Sequence, residues 1–269
     1  MKMTRRLFAV TVPAALAARG LRAETLEERG KKVRDQLIEA LGGQYFVAMH
    51  TRTEEGRGYS FFKDRLSGSS VMRIYTRYEP GPSKGDFPAV RERQTFGKKQ
   101  EDAVLFAEGN AFEITFRGAR PLPDERVTRY IETTQRNIFY ILRERRDEKG
   151  MIFESPGGDV VENQPVEVLD ITDFENRKVR VFLHHSTMLP VMQRFFLRDP
   201  VLKERREEVT RFANYRSLKP GVQWPYSIQR ERDGEKIFQL FSESVAINSD
   251  LPDKLFNLPQ GITMLKKEA

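Results

Sequence analysis

Residues 112–117 read Phe112-Glu113-Ile114-Thr115-Phe116-Arg117, an apolar side chain at every second position with a polar one between. A strand points successive side chains to opposite faces, so this period of two describes a ribbon with one greasy and one wet face. The same alternation recurs upstream in Val104 and Phe106, in Met72, Ile74, Thr76 and Tyr78, in Tyr59 and Phe61, and in Tyr45, Val47 and Met49. Turn-forming or charged clusters separate the runs: Glu55-Gly56, Ser67-Gly68, Pro80 to Gly85, Gly97-Lys98 and Glu108-Gly109-Asn110. The segment from Gln44 to Arg117 therefore predicts an antiparallel meander. A shift of one residue would turn any of these strands over.

Two segments break the period. From Thr25 to Leu41 the apolar residues Leu26, Val33, Leu37 and Leu41 can share one helical stripe, Thr25 and Glu28 have capping-box spacing, and Gly42-Gly43 ends the run. Gly30 weakens its middle. From Pro123 to Arg146, Val127, Tyr130, Ile131, Thr134, Ile138, Ile141 and Leu142 fall three or four apart, with Asp124 and Glu125 at the start and arginines at the end. Strands resume at 151–154, 166–171, 179–184, 191–198, 207–215, 226–232 and 236–247, with Asp233-Gly234 as a hairpin signal. The expected fold is mainly β with some α: one large curved antiparallel sheet, lidded by helices, in a single domain over residues 24–269.

The amino terminus predicts a destination. A basic start, an apolar run from Leu7 to Ala18 too short to span a bilayer, and small residues up to Ala23 read as a cleaved export signal over residues 1–23. Thr4-Arg5-Arg6-Leu7-Phe8 resembles a twin-arginine signal. Taking Lys2, Arg5, Arg6, Arg19 and Arg22 from the 46 basic residues leaves 41 against 39 acids. A net charge near +2 gives no footprint for nucleic acid. With no cysteine there is no disulfide, thiol nucleophile or cysteine metal site. The expectation is a monomer, soluble in the periplasm and not an integral membrane protein.

Chemistry-bearing patterns are sparse. His50 stands alone, and the adjacent His184 and His185 point to opposite faces of a strand, so no metal site is expected. No G-x-S-x-G turn, Walker loop or dinucleotide fingerprint occurs, and no cofactor is expected. The sequence reads as a binding protein and not an enzyme. The abundant feature is 19 phenylalanines. A long sheet with few helices cannot cover its whole apolar face, and the cavity left over would suit an acyl chain. The expected cavity wall is Tyr45, Val47, Met49, Phe61, Met72, Ile74, Phe112, Ile114 and Phe116, joined by Val179, Val181 and Leu183. The expected lid is the helix 123–146, with Ile131, Ile138 and Leu142 facing inward.

The second half carries a family likeness. Val166-Glu167-Val168-Leu169-Asp170-Ile171 is followed by Lys178-Val179-Arg180-Val181-Phe182-Leu183, Thr187-Met188-Leu189-Pro190-Val191 and Gln193. Then come Asn214-Tyr215-Arg216, Trp224-Pro225-Tyr226-Ser227-Ile228, Asn248-Ser249-Asp250-Leu251-Pro252-Asp253 and Leu258-Pro259. In order and spacing this resembles the periplasmic outer-membrane lipoprotein carriers, the LolA-like family. The resemblance implies a half-barrel around a hydrophobic cavity that receives lipoprotein acyl chains from an inner-membrane donor and yields them to an outer-membrane acceptor. At about 0.8 kcal/mol per CH₂, exposing one long chain to water costs on the order of 10 kcal/mol, which is why a carrier is needed. Family carriers hold the lid shut with an arginine in an early strand; Val71 to Pro80 departs from that motif, though Arg73 and Arg77 lie within it. Relatives of this fold also act as envelope sensors.

Overall fold

The computed structural model of the chain describes residues 24–79, 87–198 and 203–267. The export segment 1–23 and the turn from Pro80 to Gly85 lie outside the described residues. Six strands form the first meander: β1 (Thr51–Phe62), β2 (Arg65–Tyr78), β3 (Val90–Phe96), β4 (Asp102–Ala107), β5 (Asn110–Thr115) and β6 (Gly118–Pro121). Seven form the second: β7 (Ile152–Val161), β8 (Gln164–Thr172), β9 (Lys178–His184), β10 (Pro190–Arg198), β11 (Arg205–Leu218), β12 (Val222–Arg232) and β13 (Glu235–Ile247). All pair antiparallel in one sheet, ordered β6-β5-β4-β3-β2-β1-β13-β12-β11-β10-β9-β8-β7. The first and last strands thus meet at the centre, and the edges β6 and β7 do not pair, so the curved sheet is a half-barrel.

The chain must cross from one edge to the other between β6 and β7. It does so through α3 (Asp124–Gln135), a break at Arg136-Asn137, and α4 (Ile138–Tyr140), which widens into a π-helical turn over Ile141–Arg145. The single helix expected over 123–146 is therefore two. Asn137 makes the second start, since its side chain accepts from the backbone N–H groups of Phe139 (2.9 Å) and Tyr140 (3.3 Å).

The amino-terminal helix α1 (Leu26–Leu41) has the expected capping box, and Gly42 closes it in the left-handed region. Val33, Leu37 and Leu41 are buried, whereas Leu26 is exposed. Gly30 proves to be a contact point, because a Cβ there would lie 2.2 Å from the carbonyl oxygen of Phe153 on β7. Its absent side chain lets the helix sit directly on the edge strand.

The segment read as a first strand through Tyr45, Val47 and Met49 instead forms α2 (Gln44–Val47). The two fully buried residues are Phe46 and Met49, three apart, which is helical spacing. Tyr45 is 57% exposed and Val47 half-buried.

One large core fills the concave side over β8–β12. Val179, Val181 and Leu183 pack there against Leu37 of α1, Phe46 of α2 and Ile138 and Leu142 of the lid. A second cluster lies under α3, where Phe87, Val104, Phe106 and Leu122 meet Val127, Tyr130 and Ile131. The convex face is covered at one side by the carboxy-terminal segment, whose Leu258 and Ile262 cover Leu105, Phe112 and Ile114. That segment also brackets β6: the Ala119 N–H donates to the Thr263 carbonyl (2.9 Å) and the Leu265 N–H to the Ala119 carbonyl (2.8 Å). It thereby blunts an open sheet edge.

Candidate binding cavity

Between the two concave clusters a cavity of about 250 Å³ remains, floored by the central strands and roofed by Tyr130, Thr133, Thr134 and Asn137 of the lid. Strand pairing assembles its floor in rows, because side chains two apart share a face. Arg52 of β1 lies beside Thr76 of β2, which lies beside Glu92 of β3. The next row is Glu54, Ile74 and Gln94. On the other side of the centre, Phe238 of β13, Arg230 of β12, Thr210 of β11 and Gln193 of β10 form a third row. Phe195, Phe212, Trp224, Ile228 and Leu240 supply apolar wall between these groups.

The polar groups on the β1 side are mutually engaged. Arg52 donates from Nη1 to Oε2 of Glu54 (2.7 Å) and from Nη2 to the Thr76 hydroxyl (3.0 Å), and its guanidinium lies 4.4 Å from the centre of the Trp224 ring. Burial is the largest effect and works against the Arg52 charge, but Glu54, Tyr78, Glu92 and Tyr130 together outweigh it and hold the guanidinium above its ordinary range. Glu54 also accepts from the Ser242 hydroxyl. Glu92 accepts from the Gln94 amide at 2.7 Å, and burial raises its carboxyl above the usual range. On the other side, Arg232 donates from Nε to Oε1 of Glu208 at 2.7 Å.

Among the twelve residues expected to wall the cavity, Ile74 lines it. Met72 is buried on the same face one row along. Met49, Val179, Val181 and Leu183 belong to solid core, because α1, α2 and α4 fill that half of the concave side. Phe61 stands at the far end of β1 beside Lys236. Phe112 and Ile114 lie on the convex face, and Phe116, 85% exposed, is in the turn after β5. Their alternation is real, but the greasy face of β5 meets the carboxy-terminal segment. Of the lid residues, Ile131 packs on the cluster under α3, while Ile138 and Leu142 are in the main core.

The cavity's charged groups escaped a search for apolar stripes. Their signal was polar residues at spacing two within strands: Arg52 and Glu54, Glu92 and Gln94, Glu208 and Thr210, Arg230 and Arg232. A larger groove of about 560 Å³ lies on the opposite face, bordered by Glu162, His184, Arg211 and Gln229. No helix residue lines it, whereas the concave cavity lies under the lid helices. Among the described residues no group of three or more His, Asp or Glu is placed to hold a metal. No helix among them is long and apolar enough to cross a membrane.

The arrangement has known counterparts. It matches a domain assigned to the outer membrane lipoprotein-sorting proteins from Vibrio parahaemolyticus with TM-score 0.54, at 14% identity, over 86% of this chain and 97% of that one. The chain has a LolA-like fold. A protein of the DUF1329 family from Desulfovibrio piger matches with TM-score 0.56, at 10% identity, over 85% of this chain and 97% of the other. No family model matches the sequence, and no curated protein does. In this chain, as the strand order shows, the lid is the edge-to-edge crossover itself.

Proposed function

We propose that this chain is a periplasmic binding protein that takes the apolar part of a lipid or lipoprotein into its concave cavity, carries it from an inner-membrane donor toward an outer-membrane acceptor, and catalyses no reaction. The observation that carries this reading is the seating of the lid. Of the residues of α3 only Gln135 is buried, and the helix has no side-chain cap at its start. Before its last residue it is seated through the Tyr130 ring, stacked on Phe106 of β4 with centroids 3.6 Å apart and planes 5° apart. Beyond the break the chain is held hard: the Ile138 N–H donates to Gln193 (3.0 Å), the Ala89 N–H to the Tyr140 hydroxyl (2.8 Å), and Arg143 to the Val47 carbonyl (3.0 Å). A weakly seated helix joined to an anchored one is a flap with its hinge at Arg136-Asn137.

Cavity size supports a moving flap. About 250 Å³ is slightly below the roughly 300–1,000 Å³ of small-molecule sites, so a long acyl chain needs α3 to lift. The mutual pairing of Arg52 and Glu54 leaves the apolar wall of Phe195, Phe212, Ile228 and Leu240 as the surface open to a ligand.

The test is native mass spectrometry of the protein purified from the periplasm, with lipid extraction of whatever travels with it. Acylated species should co-purify and be lost when Ile228 on the cavity wall is replaced by Asp. An empty protein that also takes up no added lipid or lipopeptide would sink the carrier reading and leave a protein-binding envelope module in its place.

A further inference from the structure

We propose that the cavity selects an anionic amphiphile and that Arg230 takes its charged head; this rests on the binding function proposed above. Arg230 is fixed by strand pairing between Phe238 and Thr210, with Ile228 two residues before it on the same face. It lines the cavity. The other charged groups there have partners: Arg52 holds Glu54, Arg232 holds Glu208, and Glu92 is bonded to Gln94. Among the described residues, Arg230 makes no hydrogen bond or ion pair.

Arg230 is half-buried, and its guanidinium carries five N–H donors that no protein group takes up, so they are free for a ligand. Burial pushes its pKa below the ordinary arginine range, and the nearby Glu208 only partly offsets this. The surroundings favour an incoming anion. Arg129 of α3 acts on both Arg230 and Glu208, and Arg232 is two residues along β12. Arg129 is paired with Glu125 and Arg232 with Glu208, which leaves Arg230 as the cation of this group without an ion pair of its own.

A guanidinium fork accepts a carboxylate or a phosphate through two parallel hydrogen bonds. Thr210 is its cross-strand neighbour and also lines the cavity. Ile228, Phe238, Leu240 and Phe212 are the adjoining apolar wall and would receive a tail. Cation and wall in one cavity describe a ligand with an acidic head on a hydrocarbon chain.

The single tryptophan of the chain, Trp224, lies in the cavity wall, so its fluorescence reports occupancy. The chain would be titrated with dodecanoate, dodecyl phosphate, dodecanol and inorganic phosphate, with equilibrium dialysis as a second readout. Wild type should bind at least one of the two anionic amphiphiles tenfold or more tighter than dodecanol, and the better of the two names the head. R230Q should lose that preference, read as the ratio of its affinities for the anionic amphiphile and for dodecanol, and R230K should keep part of it. R230Q should melt no lower than wild type, because it removes an unpartnered charge.

If R230Q folds, binds dodecanol and keeps the anion preference, the assignment of Arg230 is overturned while the carrier reading survives. Inorganic phosphate binding as tightly as dodecyl phosphate would overturn the amphiphile in favour of a free-anion site. If wild type binds none of the four probes by either readout, the proposed binding function itself fails.

Discussion

Arg145 and Asp173 form a buried ion pair, Nη2 to Oδ2 at 2.9 Å, with each side chain 4% exposed. The same arginine donates from Nη1 to the carbonyl of Gln135, the last residue of α3, at 2.8 Å. Asp173 also accepts from Arg177 Nε (2.7 Å) and from the backbone N–H groups of Glu175 (3.0 Å) and Arg177 (2.9 Å). One carboxylate thus organises the turn between β8 and β9 and, through Arg145, anchors the lid to it.

Asp173→Asn should destabilise the protein by about 3 kcal/mol, because it breaks the buried pair and leaves Arg145 with the partly exposed Glu148 as its remaining carboxylate. Burial works against the Asp173 charge, but its bonds to Arg177 and Arg145 outweigh this and hold the carboxyl below its ordinary pKa of 3.8. A depressed folded-state pKa gives stability that is full above the unfolded value and is lost as pH falls through the folded one. The gap between wild type and variant in urea denaturation should therefore be constant near neutral pH and close below pH 3.8. A gap that persists in strong acid would show that packing alone is responsible.

Tyr130→Ala should release α3 without unfolding the sheet. Removing a half-buried stacked ring should cost about 1–2 kcal/mol. Hydrogen exchange should accelerate over 124–135 while β8–β12 remain protected. Uniform acceleration across the chain would mean that the flap and the sheet open as one unit.

Glu92→Gln should stabilise the protein at neutral pH, because a buried carboxylate becomes neutral while its neighbour Gln94 keeps a bonding partner. Burial raises the folded-state pKa of Glu92 above 4.5, so its favourable contribution is present below that value and is lost as pH rises through the folded one. The melting-temperature advantage of the variant should appear between these pH values and level off above them. An advantage already complete at pH 4 would rule out titration of Glu92 as its cause.

Two substitutions on β5 and its turn separate alternation from burial. Ile114→Asp places an unpaired charge under the carboxy-terminal segment and should cost about 3 kcal/mol or more. Phe116→Asp, at an exposed turn position, should fall within about 0.5 kcal/mol of wild type and leave lipid uptake unchanged. Thermal melts of the two proteins decide this directly.

Much of the fold was legible in the residues. The period-two runs found most of the strands, and the capping box and Gly42 bounded α1. Residues 51–58, Thr-Arg-Thr-Glu-Glu-Gly-Arg-Gly, were not legible as strand because apolar content was the signal sought. They form the centre of the sheet, where β1 pairs with both β2 and β13. Their inward side chains face a cavity and one another, so Arg52 and Glu54 can be polar there. Tyr45, Val47 and Met49 misled in the opposite way: three alternating apolar residues are too few to exclude a helical turn, and the glycine pair before them redirects the chain.

The sequence by itself determined the secondary structure class and the antiparallel meanders, because these follow from local periodicity, turn chemistry and short connections. Only the tertiary structure decided which face of each strand is the inside. Alternation defines two faces and labels neither, and the label depends on what packs against them: the lid against Phe106, the carboxy-terminal segment against Ile114. The same holds for charge. Whether an arginine on a strand is solvated, paired or left open to a ligand depends on neighbours brought from distant strands, as Arg52 and Arg230 show.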